Sequence, residues 1–267
     1  MHDRFYRWLN AGTYALLLCT LGYAGALPLG GTNLAEVYTL YPVILTPAPY
    51  SFVILSLIYI GLTGFTLLSF VPAWQRKAEI RKVGPWFAWS CVFHALWLLL
   101  LYSGQFTAAV FMLGALLLTT AVVYMRTRSS LYLYSRAGGG QPGRNSWSRD
   151  SLVRLWVQLP FSLYAAWNSF IFIWSASMTV RASGWHGGGL PPSLWAICGL
   201  LLLFALAVLA GKTNRDIPFM LTIVWMLTAI AINQPDEPTV RLVAWLLAIV
   251  LSANAVLHVR SKALART

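Results

Sequence analysis

Long apolar runs, separated by short clusters of charge, glycine and proline, dominate this chain. They fall at roughly 9–28, 50–72, 85–102, 106–125, 155–178, 192–210, 217–232 and 241–259. A helix needs roughly 20 apolar residues to cross a hydrocarbon core about 30 Å thick, so each run is read as a spanning helix, the seventh being the shortest. Only Ser103, Gly104 and Gln105 separate the third and fourth runs, which predicts a tight antiparallel hairpin. The pattern therefore predicts an all-α integral membrane protein of about eight transmembrane helices. The first run follows Arg4 and Arg7 as a signal peptide would. Seven more runs come after it, and it is read as a retained span.

Charge sharpens this picture. Seventeen of the 19 Lys and Arg fall in one set of alternate segments, and only Arg181 and Arg241 fall in the other. Cytoplasmic loops collect Lys and Arg, so eight spans with both termini cytoplasmic, in a multi-pass arrangement in the cell (plasma) membrane, is the expected topology. Charged residues make up 10% of the 267 and hydrophobic ones 58%, against about 25% charged in a soluble domain. The net charge of +12 is spread through the breaks between apolar runs and forms no basic face, which argues against nucleic acid as a partner. The lipid bilayer is the partner expected first. Cys19, Cys91 and Cys198 lie in apolar runs without CxxC spacing, so they read as small buried hydrophobes.

Two loops stand out. Residues 126–154 contain Gly138, Gly139, Gly140, Pro142 and Gly143 among arginines, and read as a flexible basic linker lying near anionic headgroups. Residues 30–49 are nearly uncharged and rich in Pro, Thr and Tyr. A segment of that length and apolarity is expected to fold over the outer mouth of the bundle as a lid.

No Asp, Glu, Lys or Arg lies well inside a span, which argues against an ion-coupled pump, since such pumps need carboxylates at membrane depth. His94 is the ionisable exception, midway along the third span. It suits an axial haem ligand, a proton acceptor or a hydrogen bond between helices, the last being the plainest reading. No second histidine shares its depth, which argues against a bis-histidine haem. Gln158, Asn168, Asn233 and Asn254 read as interhelical amides. Of the 13 Trp, residues such as Trp8, Trp86 and Trp185 lie near predicted interfaces, whereas Trp97, Trp167, Trp174 and Trp225 lie deeper. Deep aromatics suit either helix packing or the walls of a pocket for a flat apolar molecule.

Three stretches resemble the tryptophan-rich sensory protein / translocator protein (TspO/MBR) family, and in particular its long bacterial members. One is Ala26-Leu27-Pro28-Leu29-Gly30-Gly31-Thr32 followed by Thr46-Pro47-Ala48-Pro49-Tyr50 and Ile58-Tyr59. The others are His94-Ala95-Leu96-Trp97, and Leu159-Pro160-Phe161-Ser162-Leu163-Tyr164-Ala165-Ala166-Trp167. The resemblance implies a five-helix core over 1–180, containing the 126–154 linker, with three further helices and a short tail over 181–267. It also implies a cavity closed by the first loop, tetrapyrroles (porphyrin or haem-type molecules) or other apolar small molecules as ligands, and a homodimer. Matching cavity positions are Pro47, Tyr50, Tyr59, Trp97, Tyr164 and Trp167, to which His94 adds itself by its place in the motif. This chain departs from the family pattern at His94 (usually Asn), Pro49 (commonly Gly), Leu55 (often Trp) and Ser175 (expected Asn).

The expectation is a membrane binding or sensory protein with no catalytic residues, no metal and no obligatory cofactor. HExxH, GxSxG and paired carboxylates within the spans are all missing from the sequence. Alternatives are a transporter or export facilitator of a small apolar solute, and a structural subunit of a larger membrane complex.

Overall fold

The computed structural model describes residues 2–26, 42–75, 77–136, 151–185 and 187–264. Eight long helices carry the fold among them: α1 (His2–Ala26), α2 (Ile54–Leu68), α3 (Trp86–Tyr102), α4 (Phe106–Arg136), α5 (Leu159–Ala182), α6 (Pro192–Asn214), α7 (Ile217–Asn233) and α8 (Pro238–Leu264). Four apolar helical stretches are long enough to cross a membrane, namely Pro49–Leu68, Phe106–Arg128, Pro192–Asn214 and Pro238–Val259. Trp86–Tyr102 and Ile217–Asn233 are shorter apolar helices. Large apolar side chains also cover the outside: Phe111 is 70% exposed, Leu118 71%, Ile249 62% and Leu257 64%. A surface of that kind is stable against lipid and unstable in water. The chain is an all-α integral membrane protein.

The helix ends follow local chemistry. α3 stops at Tyr102, where Gly104 takes a left-handed φ of 72° and the Gln105 N–H returns to the Leu100 carbonyl. α4 begins at once at Phe106, and α3 and α4 pack along each other as the predicted hairpin. Proline supplies the first turn of α6 and α7, where its missing N–H costs nothing. Asp216 caps α7 by accepting from the Phe219 N–H at 3.1 Å. The chain enters α5 through a widened π turn, Arg154–Gln158, in which the Leu159 N–H bonds the Arg154 carbonyl. Pro160, one residue further on, can neither donate nor tolerate the carbonyl behind it, which accounts for the widening.

The described residues divide into two compact units. The first holds 2–26, 55–75, 77–136 and 151–165, and the second 42–54, 166–185 and 187–264, the boundary falling inside α5. In the first unit α3 packs on both α1 and α4. Its centre is a mutually edge-on set of rings, Phe65, Phe87 and Phe161, with centroids 4.9–5.6 Å apart. α2 reaches the start of α5 only because Gly61 and Gly64 face Pro160 and Trp156. A Cβ on Gly61 would lie 2.6 Å from Pro160 Cγ, and one on Gly64 would overlap the Trp156 ring. In the second unit α6, α7 and α8 pack pairwise, and the turn Pro49–Val53 lies on α7.

Only one cysteine matches its expected burial. Cys91 is enclosed, but Cys19 and Cys198 are exposed on helix surfaces, where lipid accepts a thiol as readily as a protein core does. The 126–154 linker beyond Arg136 and the loop before residue 42 lie outside the described residues, apart from 151–154.

Candidate functional site

The first unit gathers Tyr59 from α2, His94 and Trp97 from α3, and Tyr164 from α5. His94 and Trp97 are three residues apart and so share one helix face. His94 Nδ1 lies 2.9 Å from Tyr164 Oη, and the two rings stack at 5.9 Å and 14°. Trp97 sits 5.5 Å from the imidazole on one side, and Tyr59 6.4 Å from it on another. All three of His94, Trp97 and Tyr164 are buried, at 3%, 6% and 1% exposure. The plainest expectation for His94, a hydrogen bond to a neighbouring helix, is what the geometry contains. Tyr59 is held from behind: the Tyr14 hydroxyl lies 2.9 Å from both the Tyr59 carbonyl oxygen and Thr63 Oγ1.

One polar atom in this cluster is unsatisfied. The Trp97 indole N–H is buried and has no hydrogen-bond partner among the described residues. Burying a donor without a partner costs roughly 1–3 kcal/mol, so such groups are rare. An indole N–H, an imidazole and two phenol rings together offer flat π faces and a donor to an apolar ligand, with no carboxylate among them.

The second unit gathers the remaining expected residues. Pro47 is buried, Tyr50 is 39% exposed, and Trp167 is 3% exposed. Trp167 meets Phe52 edge-on at 5.6 Å, and Tyr50 meets Trp225 edge-on at 5.1 Å. The segment carrying Pro47 is tied down by main-chain and amide hydrogen bonds. The Ala48 N–H donates to the Ala229 carbonyl at 3.0 Å, and the Trp225 indole donates to the Ser51 carbonyl at 3.1 Å. Asn233 and Gln234 both donate to the Thr46 carbonyl, at 3.2 and 3.3 Å, while the Trp174 indole donates to Thr46 Oγ1 at 3.3 Å.

Thr46 is thus the centre of this network. Sequence reasoning placed it in a motif without giving it a role. An extended stretch flanked by Pro47 and Pro49 has few backbone donors of its own, so its carbonyls must find partners elsewhere, and that was the available signal. Of the expected amides, Asn233 acts here and Gln158 donates to the Thr127 carbonyl at 3.3 Å in the first unit. Asn168 is buried. At Asn254 it is the main-chain carbonyl, not the side-chain amide, that lies 2.9 Å from His258 Nδ1. Sequence reasoning also missed Arg128, whose guanidinium donates to Ser162 and lies 5.1 Å over the Tyr124 ring.

Eight long helices and apolar surfaces of the kind lipid covers define a multi-pass membrane protein. The chain matches the family described as TSPO-like protein over residues 7–257, and it belongs to that family. The match runs from α1 into α8 and so includes all eight long helices. No curated protein and no solved structure matches the chain.

Proposed function

We propose that this protein binds a flat apolar ligand, a tetrapyrrole of the porphyrin or haem type, and acts as a membrane sensor of it rather than as an enzyme. The unsatisfied indole N–H of Trp97, buried beside His94, Tyr59 and Tyr164, carries this reading. A bound ligand with a ring nitrogen or carboxyl oxygen would give that donor its partner, while the rings around it would stack on the ligand's π system. Pro47, Tyr50 and Trp167 are proposed as further lining and closing residues, with the 30–49 loop as lid. The five-plus-three division at 180/181 belongs to the same proposal, as do a plasma-membrane location, cytoplasmic termini and a homodimer. Transport of a small apolar solute is the second reading, and it predicts the same binding residues together with net flux in proteoliposomes.

The test is a titration of detergent-purified protein with protoporphyrin IX and with haemin, read by tryptophan quenching, in the wild type and in Trp97 and Trp167 variants.

A further inference from the structure

A second feature of the first unit lies at the far end of α2 from Pro49. Here the first turns of α1 meet the end of α2, Gln75 and residues 80–84, and they line a small cleft open to solvent. Arg7 and Arg81 stand on its walls with Asn10, Ser69 and Gln75, over a floor that includes Phe65. Asn10 keeps the cleft in shape. Its amide nitrogen donates to the Gly84 carbonyl at 3.0 Å, and its amide oxygen accepts the Ala88 N–H at 3.0 Å, clipping α1 to the turn before α3. That turn depends on Gly84, whose φ is +55°.

The electrostatics are one-sided. Arg4, Arg7, Lys77, Arg81 and Lys82 surround the cleft in sequence, against the two acids Asp3 and Glu79. Indoles ring the same end: Trp8 is 64% exposed and meets Phe70 at 4.9 Å, Lys77 lies 4.2 Å over Trp74, and Arg126 lies 5.3 Å over Trp86. Trp and basic side chains mixed in this way mark the headgroup layer of a bilayer. A cleft with two arginines on its walls is suited to a phosphate, whose oxygens arginine binds through its fork.

We infer that this cleft binds a phosphate ester, and that its source is the headgroup of an anionic phospholipid. Arg7 and Arg81 hold the phosphate, Ser69 and Gln75 lie within the polar wall beside it, and Asn10 is a positioning residue. The site stands apart from the tetrapyrrole reading and does not depend on it.

Native mass spectrometry of the detergent-purified full chain tests this, titrating phosphatidylglycerol, phosphatidylcholine and inorganic phosphate separately. The expected result is retention of phosphatidylglycerol at lower concentration than phosphatidylcholine. The Arg7→Gln/Arg81→Gln double variant should lose that preference by roughly thirtyfold, at the field strength of about two basic residues near a headgroup. Arg241→Gln, exposed in the second unit, should keep it. Should the double variant not fold, Arg81→Gln alone, on an exposed side chain of the short helix Ala78–Val83, should lose several-fold. Retention of inorganic phosphate that displaces the lipid would keep the phosphate site and overturn the lipid as its source. Equal lipid retention by the wild type and the arginine variants would overturn the site altogether.

Discussion

The backbone N–H of Ala48 donates to the carbonyl of Ala229, 181 residues further along the chain, at 3.0 Å. Ala229 lies within α7, so the segment between two prolines is hung on a helix that follows the five-helix region suggested by the sequence. Thr46 adds three more hydrogen bonds, from Asn233, Gln234 and Trp174.

Residues 42–53 should therefore be among the better protected non-helical backbone in the molecule. Ala48 has φ −61° and ψ 143°, which proline adopts without backbone strain, so Ala48→Pro keeps the local conformation while removing the donor and setting ring carbon against the Ala229 carbonyl. Hydrogen–deuterium exchange should show faster uptake across 42–53 in Ala48→Pro and in Asn233→Ala/Gln234→Ala. Unchanged uptake in both would mean that these hydrogen bonds do not hold the segment.

Gly61 and Gly64 should be intolerant positions, whereas Gly12 should not. Nothing lies within 4 Å of a Cβ on Gly12, but a Cβ on Gly64 would meet the Trp156 ring. Gly64→Ala is expected to cost about 1–3 kcal/mol through overpacking, and Gly64→Leu to abolish the folded protein. Gly12→Ala should be neutral or slightly stabilising, since alanine favours the helix by about 1 kcal/mol. Thermal unfolding in detergent separates these outcomes.

The hydrogen bond between His94 and Tyr164 predicts non-additive variants. Tyr164→Phe removes the hydroxyl from the imidazole nitrogen, and His94→Phe removes the imidazole from the hydroxyl. Interhelical hydrogen bonds in membranes contribute about 0.6–2 kcal/mol, so a double-mutant cycle should return a coupling energy in that range. A coupling near zero would show the pair to be in contact without stabilising the fold.

Asp216 is fully buried and caps α7. Asp216→Asn retains the accepting oxygen and should lower stability little, while Asp216→Ala should cost about 1–2 kcal/mol. A difference in melting temperature between the two variants checks the cap.

Much of the fold was legible because hydropathy reports what lipid requires. The run read at 217–232 is the helix Ile217–Asn233, and the one at 85–102 is Trp86–Tyr102. Ends were less legible where helices outrun the membrane. The run read as ending at 125 continues as helix to Arg136, since beyond the hydrocarbon a helix no longer needs apolar residues. The π turn before Pro160 was not legible, because the widening depends on which carbonyl the proline ring meets. Within the site, the His94-Ala95-Leu96-Trp97 stretch was legible as a motif in the third span. The partnership with Tyr164 is long-range and could not be seen from periodicity. Thr46 was hidden for the same reason, as its partners lie more than a hundred residues away.

The most direct test of the binding reading is the substitution Trp97→Phe, which keeps a ring at that position and deletes only the indole N–H. Protoporphyrin IX, added to the purified wild type, should quench tryptophan emission saturably. In Trp97→Phe the dissociation constant should rise about fivefold or more, the equivalent of one hydrogen bond of about 1 kcal/mol or more, with quenching of the remaining indoles still saturable. Quenching that is linear in the wild type, or an unchanged dissociation constant in Trp97→Phe, would contradict the account: the membrane fold would stand, and the Trp97 cluster would be packing rather than a ligand site.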